Sequence, residues 1–275
     1  MNLEFSILQT LKYSAVFNFP LTNKEIYKYL IGEKPASLQK IDEILQKLSE
    51  SKKIYCYRNL YSLNPVTKQD FESKKQNTKK FIELKNKAKK DLNIIDKLFF
   101  IKFVGITGSS AAKDFRGDFD IDLFFICQKN FVWVNRIFVV LYLKFKKQYR
   151  NPYCANIYTS LDFCVWNDRN VYIANEIARI KPLFNKEYTY EYFLQKNKWV
   201  VNFLPNFKFY IPSSNFKNNL GIISNFIFPI ELLLYFVEYL YMKPKISTER
   251  VSLKRIMFLK KDYKEKILTK YAEGD

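Results

Sequence analysis

The chain has 275 residues, 48% of them hydrophobic and 27% charged, with only 6 Gly and 9 Pro; this excludes collagen-like, low-complexity and disordered classes and gives enough chain for about two compact units. Lys and Arg number 46 against 27 Asp and Glu, for a net charge of +19, a field that attracts nucleic acid, nucleotides or anionic lipid. That excess is mostly Lys in a chain also rich in Asn, Ile, Phe and Tyr, so AT-rich codon usage accounts for it equally well, and the count of 0 His removes His-dependent triads, His-ligated zinc and imidazole acid-base chemistry.

Leu3, Ile7, Leu8, Leu11, Val16 and Phe17 recur near helical spacing until Asn18-Phe19-Pro20, which predicts a first helix. Thr22 and Glu25 form a capping box that opens a second, closed at Gly32, and Ser37 caps a third that carries Leu38, Ile41, Ile44, Leu45 and Leu48. Ile54 to Tyr57 and Leu60 to Leu63, around Arg58-Asn59, read as two short strands. Three helices and a hairpin over residues 1–65 predict a winged helix-turn-helix. DNA binding through its third helix is one reading; Gln39, Lys40, Asp42, Glu43, Gln46 and Lys47 on the outward face mix both signs without Arg, so packing on a neighbour or on another protein is the other. Residues 66–98 read as a basic connecting helix with a Lys-covered solvent side, among them Lys74, Lys75, Lys79 and Lys80.

Phe103 to Thr107 is an apolar run of strand length, followed by Gly108-Ser109-Ser110-Ala111-Ala112, a glycine turn that opens a helix. Backbone amides and a serine hydroxyl at such a turn suit phosphate oxygens. After the turn comes Asp120-Ile121-Asp122-Leu123, two carboxylates on one face of a strand, about 7 Å apart along it. Paired carboxylates entering a sheet imply a bound cation, and hard oxygen donors select Mg²⁺ or Mn²⁺. Asp118 precedes the pair, and Lys113 and Arg116 lie between turn and pair, where they are expected to reach the β or γ oxygens of a triphosphate, Arg116 with the better geometry for gripping two.

Thr107-Gly108-Ser109, ten intervening residues and Asp120-Ile121-Asp122-Leu123 resemble the signature of the DNA polymerase beta-like nucleotidyltransferase superfamily. Phe17 to Thr22, Cys154 to Tyr158, Ile180 to Phe184, Asn197 to Asn206 and Thr248 to Val251 resemble a prokaryotic branch that joins a winged helix to such a domain. The resemblance implies an α+β chain: a winged helix-turn-helix, a nucleotidyltransferase-fold mixed sheet with packed helices over 99–206, and a helical C-terminal region over 207–275. It implies that Gly108 and Ser109, with Ser110 beside them, hold the triphosphate of a nucleotide donor, ATP being expected, and that Asp120 and Asp122 ligate Mg²⁺ for transfer of a nucleoside monophosphate. The acceptor, whether RNA, protein or small molecule, is not specified. Members usually offer a third carboxylate on a later strand; here Asn156 occupies that strand and Asp162 lies just past it, so the candidate catalytic set is Asp120, Asp122, Asn156 and Asp162. The alternative is a degenerate member that senses nucleotide while the winged helix docks on DNA or protein.

Phe131 to Tyr149, Val171 to Arg179 and Thr189 to Leu204 read as helices. Leu220 to Met242 is apolar enough to suggest a membrane span, but Pro229, Glu231 and Glu238 interrupt it, which favours a packed core helix over a membrane partner. Val251 to Ala272 reads as a basic amphipathic segment. Cys56, Cys127, Cys154 and Cys164 form no C-x-x-C pair, and the first residues lack a signal-peptide pattern, so free thiols and a cytoplasmic setting are expected.

Overall fold

Local capping decides where the N-terminal helices begin. In a computed structural model that describes residues 2–115, 120–209, 221–246, 249–258 and 261–273, α1 (Leu3–Ala15) starts at Asn2, whose side chain accepts from the Glu4 amide. After β1 (Leu21–Thr22), α2 (Asn23–Lys28) opens with the complete Thr22–Glu25 capping box, and Ser37 caps α3 (Leu38–Glu50) through the Lys40 amide. Each such cap is worth roughly 1 kcal/mol. The strands β2 (Tyr55–Tyr57) and β3 (Leu60–Ser62) turn at Arg58 and Asn59, both with positive φ, and β3 pairs antiparallel with both β1 and β2. Ile7, Leu11, Ile26, Leu30, Ile41 and Leu45 fill a core within this module.

The connecting helix α4 (Lys68–Asp91) starts at a second capping box, Thr67–Asp70, and is followed by the short α5 (Asn93–Asp96). Asp91 anchors its far end, accepting from Tyr153 Oη at 2.6 Å and Gln148 Nε2 at 3.1 Å. Most of the lysines face solvent as expected, but Lys74 turns inward: its ammonium lies 2.7 Å from Glu25 and 4.2 Å from the centre of the Phe19 ring.

The main sheet follows: β4 (Ile101–Ile106), α6 (Gly108–Ala112), β5 (Ile121–Cys127), α7 (Val132–Phe145), β6 (Tyr153–Ser160), α8 (Val171–Arg179), β7 (Lys181–Asn185) and α9 (Thr189–Lys196). It continues with α10 (Gly221–Met242), β8 (Arg250–Ser252), β9 (Arg255–Met257) and α11 (Lys261–Glu273). The order is β7-β4-β5-β6-β9-β8; β5 and β6 are parallel and the other pairs antiparallel. β4 and β5 are buried on both faces, as their near-continuous apolar sequence requires. One core, with Phe103, Phe124 and Phe193, lies on the side that meets the N-terminal module through Tyr13, Tyr29 and Ile31. The other holds Val104, Phe125 and Trp133 beneath α7 and α10. The architecture is mixed α+β, as the sequence predicts.

Asn206 fastens the N-terminal module to this unit. Its amide oxygen accepts from the Ala36 amide at 2.9 Å and its nitrogen donates to the Tyr27 and Ala36 carbonyls. Asn197, fully buried, accepts from the Trp166 amide at 2.8 Å and donates to the Cys164 carbonyl.

Three expectations change. The stretch from Thr189 is broken at Asn197, where α9 ends and a 3₁₀ segment, Lys198–Asn202, takes over. The basic C-terminal segment is a hairpin of three-residue strands before its helix, because β6 needs a partner along its outer edge. Finally, α10 is a surface helix rather than a core one. Its stretch Ile223–Met242 is the one segment among the described residues long and apolar enough to cross a membrane, and only 11% of it is buried.

Candidate active site

Gly108 adopts φ +64, a conformation that favours glycine, and a Cβ there would sit 2.4 Å from Asp122 Oδ2. Two independent constraints therefore demand glycine at the junction of β4 and α6. The turn is tied to the aspartate strand twice: the Thr107 amide donates to the Asp122 carbonyl at 2.9 Å, and Ser110 Oγ donates to the Asp120 carbonyl at 2.7 Å. Ser110 is thus buried and committed to holding the turn, whereas Ser109 lines an open cavity. Lys113, in the left-handed region, closes α6.

Asp122 enters on β5 opposite Cys154 on β6, with Asp120 immediately before the strand. Single donor atoms of Asp120, Asp122 and Cys154 all lie within 4.8 Å of one another. Asn156 Nδ2 donates to Asp122 Oδ1 at 3.0 Å. The Asp122 carboxyl is pushed up to about 7: burial is the main cause, the charges of Asp120 and Glu176 add to it, and hydrogen bonds from Asn156 and Cys154 offset only part. Burial, followed by Asp122 and Asp120, pushes the Cys154 thiol up to about 12, so at neutral pH it is a neutral hydrogen-bond donor. Two carboxylates opposed here by neutral donors have the chemistry of a hard-cation site, and Mg²⁺ or Mn²⁺ fits the oxygen set better than a thiol-preferring metal.

Asp122 of the pair faces a cavity of about 320 Å³. Gly108, Ser109 and Asp122 form one wall, and Tyr172, Glu176 and Arg179 of α8 another. Tyr13, Phe17 and Phe19 of the N-terminal module close a third side, with Tyr263 of α11 beside them. Glu176 is a further carboxylate at this cavity. Burial raises it to about 7, the Arg179 charge opposing that rise. Its charge in turn pushes up the hydroxyls of Tyr13, Tyr172 and Tyr263, for each of which burial is the larger cause.

The structure brings Gly108, Ser109, Asp120, Asp122 and Asn156 together. Asp162 is elsewhere: it follows β6 at the end remote from Cys154, six residues and about 20 Å along the strand. There its carboxylate accepts from Lys254 at 2.7 Å and from Ser160, and these bonds hold its pKa low despite partial burial. A strand end that has passed the whole sheet cannot return to the aspartate pair, so Asp162 leaves the candidate catalytic set. Arg116, Asp118 and Phe119 lie outside the described residues. Glu176 escapes a motif search, but Tyr172, Glu176 and Arg179 fall at i, i+4 and i+7 on one helix face, which marks them as neighbours. Against protein-family profiles, curated proteins and solved structures, the chain finds no match.

Proposed function

We propose that the chain is a metal-dependent nucleotidyltransferase that moves a nucleoside monophosphate from a triphosphate donor to an acceptor held in the cavity beneath the N-terminal module. The observation that carries this reading is the contact between the glycine turn and the aspartate pair, with Gly108 so close to Asp122 that a Cβ would strike the carboxylate. Asp120 and Asp122 would hold the cation, which would neutralise phosphate charge and polarise the α-phosphorus. Gly108 and Ser109 bound the space for phosphate oxygens, while Ser110 keeps the turn in place. Glu176, raised to about 7, is the carboxylate suited to accept a proton from an acceptor hydroxyl at neutral pH. Tyr13, Phe17, Phe19, Tyr172 and Tyr263 give the walls flat aromatic faces.

In this reading the N-terminal module is a winged helix used as a wall of the site rather than a DNA reader. On its third helix Gln39 donates to Glu43 at 3.2 Å and Gln46 to Glu50 at 2.9 Å, and Asn23 donates to Asp42 at 2.9 Å. Side chains engaged with one another in this way offer little to phosphates.

Asn156 favours a second reading, a nucleotide sensor without turnover, because a neutral amide donor occupies the Asp122 oxygen where a third carboxylate would share a cation. The test is binding of Mn²⁺ and labelled nucleoside triphosphates by purified protein, followed by a pyrophosphate-release assay. Cation-dependent binding that Asp122→Asn abolishes supports the site, and release separates enzyme from sensor. Nucleotide binding that is indifferent to chelator and to Asp122→Asn rejects both.

A further inference from the structure

The helix α10 is built inside out. Its inward stripe carries Ser224, Glu231 and Glu238, and each serves α7 or the turn that leads into it. Glu231, 1% exposed, accepts the Trp133 and Val134 amides at 2.9 and 3.0 Å, capping a helix whose own N-cap, Phe131, has no side-chain bond to give. Glu238 pairs with Arg136, and the Ser224 carbonyl accepts from Asn130 at 3.0 Å. The charged groups that interrupt the apolar sequence are thus spent inside the protein. A second set of apolar side chains points out: Phe226 is 81% exposed, Leu233 62% and Leu240 66%, along one line of the helix at seven-residue spacing. Ile230, Phe236 and Val237 are about half exposed beside them. A run of this length exceeds the scattered surface hydrophobics of a soluble domain and marks an interaction face.

The charge around the face says what covers it. Contacts pair Asn130 with Ser224, Trp133 with Glu231 and Arg136 with Glu238, so α7 and α10 run past each other in the same sense. Both helices end in basic residues: exposed Lys144, Lys146 and Lys147 in and after the last turn of α7, beside the bare Leu141 and Phe145, and Lys243 directly after α10. A second copy would set these lysines, on a chain of net charge +19, against themselves. An anionic bilayer attracts them. A span across the bilayer is disfavoured, because α10 is fastened along its length by Ser224, Glu231 and Glu238 to a helix that packs on the sheet.

We infer that the outward face of α10 docks on the surface of an anionic lipid bilayer, lying in the headgroup region with the basic helix ends against the phosphates. The protein would then work at a membrane, with its cavity held at a fixed height above the lipid. This inference stands apart from the nucleotidyltransferase reading and needs none of its residues.

Co-sedimentation of the full chain with vesicles tests it, using one part phosphatidylglycerol to two parts phosphatidylcholine, and phosphatidylcholine alone. The expected result is binding to the anionic vesicles and little to the neutral ones. The triple change Phe226→Ser, Leu233→Ser, Leu240→Ser lowers partitioning by more than about tenfold, since three apolar contacts with the interface are lost. The triple change Lys144→Glu, Lys146→Glu, Lys147→Glu removes the preference for anionic lipid. Should the serine variant fail to fold by circular dichroism, Phe226→Ser alone, at the most exposed position, must still weaken binding. Wild-type protein left in the supernatant overturns the inference, as does binding indifferent to the serine changes. Light scattering that shows a dimer dissociated by those same changes also overturns it, by assigning the face to a second copy.

Discussion

Replacing Asp122 by Asn changes the pH dependence of folding in a direction that the geometry fixes. Asp122 keeps its proton to about pH 7 in the folded chain and releases it near its ordinary 3.8 once unfolded. Between those values the folded state therefore binds more protons, so its stability falls as pH rises through this window. At about 1.4 kcal/mol per pH unit the upper bound is roughly 4 kcal/mol, and partial access of water to the cavity reduces the expected loss to about 2 kcal/mol. Asn cannot ionise, so urea unfolding at pH 4 and pH 8 in chelator should show the wild type losing that much more than Asp122→Asn. Millimolar Mn²⁺ at pH 8 should restore the wild type and not the variant, because a cation bound only by the folded state adds stability by mass action. Equal pH slopes for the two proteins, or equal restoration by Mn²⁺, would refute the assignment of Asp122 as a buried, cation-poised carboxylate.

Gly108→Ala places a methyl group 2.4 Å from Asp122 Oδ2 at φ +64; about 1–2 kcal/mol of stability is lost to backbone strain alone, read from the urea midpoint, and calorimetry should show weaker Mn²⁺ binding as Asp122 is displaced. Asp162→Asn leaves Mn²⁺ and nucleotide affinity unchanged, because the residue sits at the remote end of β6. Glu176→Gln keeps nucleotide affinity within a fewfold but lowers any turnover by about a hundredfold in the pyrophosphate-release assay. Glu231→Ala strands the buried amides of Trp133 and Val134 and costs about 1–3 kcal/mol in a denaturant melt, while Glu231→Gln, whose amide oxygen still accepts, recovers part of it.

The features legible in the sequence are those whose cause is local. Thr22–Glu25 and Ser37 fix helix starts within four residues, and Gly108 with the aspartates places the turn and the carboxylates because both lie on adjacent elements. Glu176 was not legible: it lies 54 residues beyond Asp122, and only the packing of α8 across the sheet brings it to the cavity. Nor were β8 and β9, too short and too basic to carry a strand pattern and ordered by the exposed edge of β6. The misreading of α10 has a single physical origin. Pro229, Glu231 and Glu238 argue against a membrane span and so for a core helix, yet Glu231 and Glu238 point inward because α7 lacks a cap of its own and carries Arg136. Asn197 and Asn206, the ends of a stretch read for its resemblance, are hydrogen-bonding staples, which accounts for them structurally.

The outer edge of β6 acquires its partner late. Residues 157–159 pair with Arg255, Ile256 and Met257, nearly a hundred residues further along the chain. A ribosome adding roughly 5–20 residues per second takes about 5–20 seconds to cover that distance. Throughout that interval the nascent chain presents the backbone of Ile157, Tyr158 and Thr159 as an open template for foreign strands. The hydrophobic α10 emerges before the hairpin that seals this edge, so the growing polypeptide passes through a stage in which an unpaired strand and a bare apolar helix are exposed together. Chaperone capture, or an early meeting with lipid, would act at that stage of synthesis.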